Sequence, residues 1–199
     1  MTAGPRIAAF VSPHGFGHAA RSSAVLLEAL ARGAGGIELF TTAPRWFFEE
    51  SLGRAFRLHE EVVDVGFRQR SALHADLEGT VAALERLLPF DDARVARLAD
   101  TVRATGADVV LCDIAPLGVA VAEAAGLPSV LVENFSWGWL YAAYADQAPE
   151  LSAFGAALDR WADRATRHVQ ARPMCVATPS AEAVDPIGRP PRRSRAASR

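Results

Sequence analysis

The chain has 199 residues, 50% hydrophobic and 22% charged, with 15 Gly and 12 Pro, a balance that excludes disorder as the main state, since folding at this size removes roughly 70% of the unfolded chain's surface from water. All 21 basic residues are Arg, and the absence of Lys excludes a Walker-type phosphate lysine, a Schiff-base lysine and a pyridoxal anchor. The formal charge of −2 joins an acidic body to a basic end, Asp185–Arg199 holding five Arg against one Asp, which argues against a nucleic-acid partner.

Arg6 to Ser12 reads as the first strand, ended by Pro13, which biases Ser12 toward extended backbone. A glycine-bearing loop follows. Ala20, Ala24, Leu27 and Leu30 then place an apolar stripe on a helix that Gly33 closes. Ile37 to Thr41 predicts a second strand, Pro44 to Leu52 a short helix opened by proline, and Leu58 to Val65 a weaker strand. Leu77, Val81, Leu84, Leu87 and Leu88 form one helical stripe and Val95, Leu98 and Val102 another, with Pro89 between them. Asp108 to Asp113 is an apolar run of the kind buried on both faces of a parallel sheet; Leu117 to Ala125 predicts a helix closed by Gly126, and Ser129 to Glu133 a further strand. Phe154, Leu158, Trp161, Ala165 and Val169 recur at helical spacing, and Met174 to Thr178 predicts a last strand. This alternation predicts an α/β fold, a Rossmann-like doubly wound parallel sheet in one domain over residues 1–184. Residues 185–199, with three prolines and five Arg, read as a basic tail or linker against which nothing packs.

Cys112 and Cys175 are the only cysteines, too few for a disulfide scaffold, and they indicate a reduced, cytoplasmic interior without a metal site. Ile7 to Val11 is too brief for a signal-peptide core, and no stretch approaches the roughly 20 apolar residues of a membrane-spanning helix, Ala19 to Ala31 being broken by Arg21 and Glu28.

The sharpest motif is Pro13-His14-Gly15-Phe16-Gly17-His18, between the first strand and the first helix. Gly15 and Gly17 allow a tight turn and close approach of backbone to ligand, and the helix start offers unpaired N–H groups to an oxygen-rich group. Gly15-x-Gly17-x-x-Ala20 also fits the relaxed dinucleotide fingerprint, yet the acidic residue expected after the second strand is missing, its place taken by Thr41, Thr42 and Ala43. An imidazole, with an ordinary pKa of about 6.5, takes a proton from a hydroxyl near neutral pH, so His14 and His18 are candidate bases. In a doubly wound sheet Asp113 emerges on the same edge; a carboxylate bonded to one ring nitrogen fixes the tautomer and stabilises the imidazolium formed at the other. The alternative is that Asp113 caps the helix starting near Pro116. Arg21, one turn into the first helix, either holds an anion or pairs with an acidic neighbour. At a third strand end, Asn134 and Ser136 alternate with Phe135 and Trp137, a mixture suited to a sugar or another polyol. The alternative is an aromatic core cluster, to which Trp46-Phe47-Phe48 is assigned.

Val11-Ser12-Pro13-His14-Gly15-Phe16-Gly17-His18-Ala19-Ala20-Arg21, Asp108 to Asp113 and Asn134-Phe135-Ser136-Trp137 together resemble the N-terminal, acceptor-side half of GT-B glycosyltransferases. The likeness, over roughly Arg6 to Ser180, is to predicted bacterial glycosyltransferases of the UDP-glycosyltransferase and MurG kind and to the N-terminal region of L-arabinokinase. It implies transfer of a sugar from a nucleotide-sugar donor, such as a UDP-sugar, to an acceptor hydroxyl with inversion. His18 would be the base and Asp113 its partner, with His14, Gly15, Gly17, Arg21, Asn134, Ser136 and Trp137 binding substrate; no resident cofactor is implied. GT-B enzymes hold most of the donor in a second, C-terminal domain, so the resemblance also implies a half-enzyme whose linker begins in the Arg-rich end and whose partner is a separate or missing C-terminal domain. A non-catalytic sugar-binding or regulatory module is the alternative, and a dinucleotide-binding protein a weaker one.

Overall fold

The structure, a computed structural model, describes residues 4–189. In chain order the elements are β1 (Arg6–Val11), α1 (Phe16–Ala31), β2 (Gly36–Phe40), α2 (Arg45–Leu52), β3 (Phe56–His59), a small hairpin of β4 (Gln69–Ser71) and β5 (His74–Ala75), α3 (Leu77–Leu87), α4 (Asp92–Ala104), β6 (Val109–Asp113), α5 (Pro116–Ala125), β7 (Ser129–Glu133), α6 (Trp137–Ala142), α7 (Glu150–Ala162), β8 (Arg167–Ala171) and β9 (Glu182–Val184). Seven strands form one parallel sheet in the order β3-β2-β1-β6-β7-β8-β9. The order reverses between β1 and β6, and a crevice opens at the carboxyl ends of strands flanking such a reversal.

Side chains of a strand alternate between the two faces of its sheet. On β1, Ala8 and Phe10 enter a layer with Leu84, Leu98, Val102, Leu117 and Leu158, from α3, α4, α5 and α7. Ile7, Ala9 and Val11 enter the opposite layer with Leu26, Phe47 and Phe48, from α1 and α2. Both faces are covered, which is why the central strands read as continuous apolar runs.

The sequence pattern fails in four places. The predicted strand Leu58–Val65 is short, Phe56–His59, and its remainder runs as coil along the carboxyl edge. The hairpin β4–β5 carries no apolar alternation and was not predicted. The helical stripe through Val169 ends at Ala162, and Arg167–Ala171 is a strand beside β7; Trp161 and Val169 fit one helical face by spacing alone. Met174–Thr178 is turn, and the last strand is Glu182–Val184. Nor is the segment after β9 free of packing, since Ile187 lies against the α1–α2 layer. The rest of the predicted tail, 190–199, lies outside the described residues.

Gly118 tests how closely α5 sits on the sheet. A Cβ there would lie 2.7 Å from Cys112 Sγ and 2.8 Å from Phe10 Cβ, so Gly118→Ala forces helix and strand apart. Denaturant unfolding should show a loss of about 1–3 kcal/mol; unchanged stability would mean that the α5 interface has slack.

Candidate functional site

Parallel pairing brings the ends of β1 and β6 together, with Val11 opposite Asp113 and the Ser12 N–H donating to the Asp113 carbonyl at 3.2 Å. The loop between β1 and α1 is short, and Gly15, at φ 81°, takes the left-handed turn that starts the helix. The first turns of α1 therefore hang over the end of β6. His18, Arg21 and Ser22, spaced at i, i+3 and i+4, share one helix face, and all three reach the Asp113 carboxylate.

His18 Nδ1 lies 3.1 Å from Asp113 Oδ1. Arg21 donates to the same carboxylate from Nε at 3.0 Å and from Nη2 at 2.5 Å, and Ser22 Oγ donates at 2.7 Å. An ionised carboxylate only accepts, so the His18 Nδ1 carries the proton of that bond, and Nε2 is the ring nitrogen not committed to Asp113. His18 Nε2 has no hydrogen-bond partner among the described residues. The cap of α5 is Ala115, without a side-chain bond, so Asp113 serves α1 and not α5. Burial by itself would raise the Asp113 carboxyl; the His18 and Arg21 hydrogen bonds and charges outweigh it and hold the group below the usual carboxylate range. Ile114 follows at φ 51°, a left-handed backbone that a β-branched residue holds only under constraint from its surroundings.

His14, Gly17, His18, Arg21, Asn134 and Phe135 line one side of a cleft of about 400 Å³. The opposite wall is Ala171 to Pro173 with Pro186 and Ile187. Beyond that wall the chain reaches back to α2, where Arg189 sits 4.7 Å above the Phe47 ring and donates to Ser51 Oγ at 3.0 Å. His14 is held below its ordinary imidazole value, by burial first and by the neighbouring His18 charge second.

Several predicted site residues sit differently from their expected roles. Arg21 is not free for a ligand anion: beyond Asp113 it donates from Nη1 to Asn134 Oδ1 at 2.8 Å, which leaves the Asn134 NH₂ for the cleft. Trp137 is 2% exposed, and its indole N–H donates to Asp64 Oδ2 at 3.0 Å and to the Ile114 carbonyl at 3.2 Å. It is a core side chain and presents no face for stacking a ligand. Ser136 caps α6 by accepting from the Trp139 N–H at 3.1 Å, away from the cleft. Gly15 is exposed at the rim. Trp46, assigned to the core by sequence, is 52% exposed, whereas Phe47 and Phe48 are buried.

Ser22 and Asp64 were missed. The spacing of Ser22 from His18 was a usable signal; Asp64 showed only as a lone carboxylate within Val62-Val63-Asp64-Val65. It is 3% exposed, and its Oδ1 has no hydrogen-bond partner among the described residues. Burial pushes its carboxyl up to about 6, against the opposing pull of Ser12, His18 and Trp137. Among the described residues no group of three or more His, Cys, Asp or Glu could hold a metal ion, and no helix is long and apolar enough to cross a membrane.

These two carboxylates make opposite contributions to stability. Asp113, depressed, stabilises the fold above the ordinary carboxyl value near 4 and loses that contribution as pH falls through its folded value. Replacing it, Asp113→Asn, leaves Arg21 buried without its counter-charge, and urea unfolding at pH 7 should show a loss of about 3–5 kcal/mol. Asp64, raised, stabilises only while protonated, and that contribution disappears as pH rises from about 4 to about 6. The stability of Asp64→Asn relative to the parent chain should therefore improve by about 2–3 kcal/mol between pH 4 and pH 8; a pH-independent difference would contradict the buried charge.

No family model matches the chain. It is 32% identical over 140 residues to L-arabinokinase of Arabidopsis thaliana, a match spanning 68% of this chain and 13% of that protein. Among solved structures, MurG of Acinetobacter baumannii matches with TM-score 0.53 and 13% identity, over 94% of this chain and 47% of its own. A UDP-glucosyltransferase from Polygonum tinctorium, capable of glucosylating indoxyl, matches with TM-score 0.55 and 15% identity, over 94% of this chain and 53% of its own. UGT89C1 of Arabidopsis thaliana, solved with quercetin, matches with TM-score 0.54 and 18% identity, over 84% and 43%. The chain thus spans about half the length of these glycosyltransferases, and its seven-stranded sheet has the fold of one Rossmann-like half of a GT-B glycosyltransferase.

Proposed function

We propose that the chain is the acceptor-side half of a GT-B glycosyltransferase and that His18 is its general base. The observation that carries this reading is the state of the His18 ring: it lines the cleft, Nδ1 is committed to Asp113, and Nε2 is left without a partner among the described residues. Under this reading an acceptor hydroxyl in the cleft donates to Nε2. As its oxygen attacks the anomeric carbon of a nucleotide sugar, such as a UDP-sugar, the proton passes to His18. The bond from that carbon to the diphosphate breaks on the opposite side, the nucleotide diphosphate leaves with the electron pair, and configuration inverts. Asp113 holds the ring in the productive tautomer, as the carboxylate partner does in other histidine-base sites.

Binding of acceptor falls to groups that retain unspent hydrogen bonds at the cleft, the Asn134 NH₂ and the His14 ring, with Gly17 leaving room for close approach; a Cβ at Gly17 would meet nothing within 4 Å. The donor is held mainly by a second GT-B half, on this chain's continuation or on a separate chain. No resident cofactor or metal takes part. The free thiols of Cys112 and Cys175 fit a reducing, cytoplasmic setting.

The test is to supply the chain with a second GT-B half, fused or separate, and assay transfer from UDP-sugars to a panel of sugar acceptors. His18→Ala should lower kcat/KM by about 10²–10⁴ in a chain that still folds, its melting temperature lowered by loss of the buried hydrogen bond to Asp113. Undiminished turnover in that variant would dismiss the base assignment. Sugar binding by calorimetry without transfer would favour a second reading, a sugar-binding module, for which the polar cleft of this single half is the supporting observation.

A further inference from the structure

The charge balance around His18 is not closed by the groups that contact it. Asp113 carries one negative charge, and Arg21 matches it with one positive, bonded to both oxygens. Arg21 Nη2 also lies 3.4 Å from His18 Nδ1. When His18 takes up a proton at Nε2, the imidazolium keeps the Asp113 hydrogen bond it already had, now charge-assisted, but faces a guanidinium almost as near. Asp113, Arg21 and His18 are 1%, 8% and 8% exposed, and at such burial charges act on one another several-fold more strongly than in water. A neutralised ion pair orients the ring; it supplies little net attraction for the new charge.

Asp64 is tied to the end of β6 through Trp137, whose Nε1 lies 3.0 Å from Asp64 Oδ2 and 3.2 Å from the carbonyl of Ile114, the residue after Asp113. It belongs to the coil after β3, and the groups facing it come from every element packed there: Ser12 from the loop after β1, His18 from α1, Asp113 from β6, and Trp137 and Tyr141 from α6. His14 completes the surround, its ring edge-on to Trp137 at 5.4 Å. Of these side chains only the imidazoles can become positive. The Trp137 indole fixes one carboxyl oxygen of Asp64, and the other is buried and unspent. A buried polar atom without a partner is uncommon enough to require an explanation. Ser12 and His18 are near enough to pull on the carboxyl, and neither meets that oxygen in hydrogen-bond geometry.

We infer that Asp64 is a positioning residue of the site, the counter-charge that favours the proton on His18 once the acceptor hydroxyl has released it. The inference rests on His18 acting as the base, and it gives Trp137 a part as well: its indole anchors Asp64 instead of a substrate. Asp64 takes no proton from the acceptor and touches no reacting atom. Its effect reaches the reaction only through His18.

The experiment is an NMR pH titration of the His18 ring signals in the full chain, assigned with His18→Gln, for the parent and for Asp64→Asn. Asparagine keeps an oxygen for the Trp137 N–H and removes the charge. The midpoint of the His18 titration should fall by about one pH unit, an imidazolium about tenfold less populated on the basic side. Asp76→Asn, at the N-cap of α3, where asparagine still caps the helix, should leave it in place. Superimposable His18 curves in the parent and Asp64→Asn would overturn the inference. Should Asp64→Asn fail to fold, the parent chain decides: coupled groups titrate in two steps, so the His18 curve should show an inflection where the Asp64 carboxyl carbon titrates, and a single-step curve overturns the inference. The titration reads ring protonation and not transfer. Full turnover in His18→Ala therefore dismisses the base assignment, whereas an unmoved titration dismisses the role of Asp64.

Discussion

The Asp113 carboxylate is the point on which the site is assembled. It ends a central strand, and its oxygens collect a ring nitrogen, a bidentate guanidinium and a hydroxyl from one face of α1. A buried carboxylate is costly unless charge and hydrogen bonds compensate it, and here the compensation comes from a single helix with no acidic residue of its own in its first turn. The same bonds that make the ionised carboxylate tolerable fix the position of α1 and the tautomer of His18. Under the proposed function, one group would join stability and chemistry, and a change at Asp113 would affect both.

The topology places this group where ligands are met. With β1 and β6 adjacent and parallel, the loop leaving one strand and the residue ending the other share the carboxyl edge, and the reversal of strand order opens the cleft between them. The far wall comes from the turn after β8 and from the segment after β9, which continues to Arg189 on Phe47. Residues that read as a solvated linker therefore help to shape the cleft. Their few apolar and aromatic contacts are the physical reason: Ile187 has a hydrophobic layer to join, and the Arg189 guanidinium has an aromatic face to cover.

Electrostatics divides the edge into two unlike carboxylates. Asp113 is held ionised by a neighbouring cation and donors; Asp64, with one indole bond and one unspent oxygen, is pushed toward its neutral form by burial. Pairs of acids driven apart in this way are a recurrent mark of functional sites. The near-neutral Arg21–Asp113 pair orients the imidazole and would leave an imidazolium charge to be balanced from elsewhere, which is the physical ground of the role inferred for Asp64.

The order of strand and helix was legible in the sequence because strands buried on both faces must be apolar throughout and helices packed on one side must be striped. The histidine-glycine loop was legible for a similar reason: glycine where the backbone turns tightly, followed at once by helix. The sequence also named His18 and Asp113, though spacing alone could not separate a dyad partner from a helix cap; only strand pairing, which sets Val11 beside Asp113, makes that choice. Tertiary structure alone decided the rest. Trp137 belongs to the core because Asp64 and Ile114 receive its N–H, Arg21 is committed because Asp113 and Asn134 lie within its reach, and Arg167–Ala171 is a strand because β7 offers an unpaired edge. A residue's type and local pattern reveal what it is able to do, whereas the partners that commit it arrive from positions as far as 138 residues along the chain, and no local pattern carries that information.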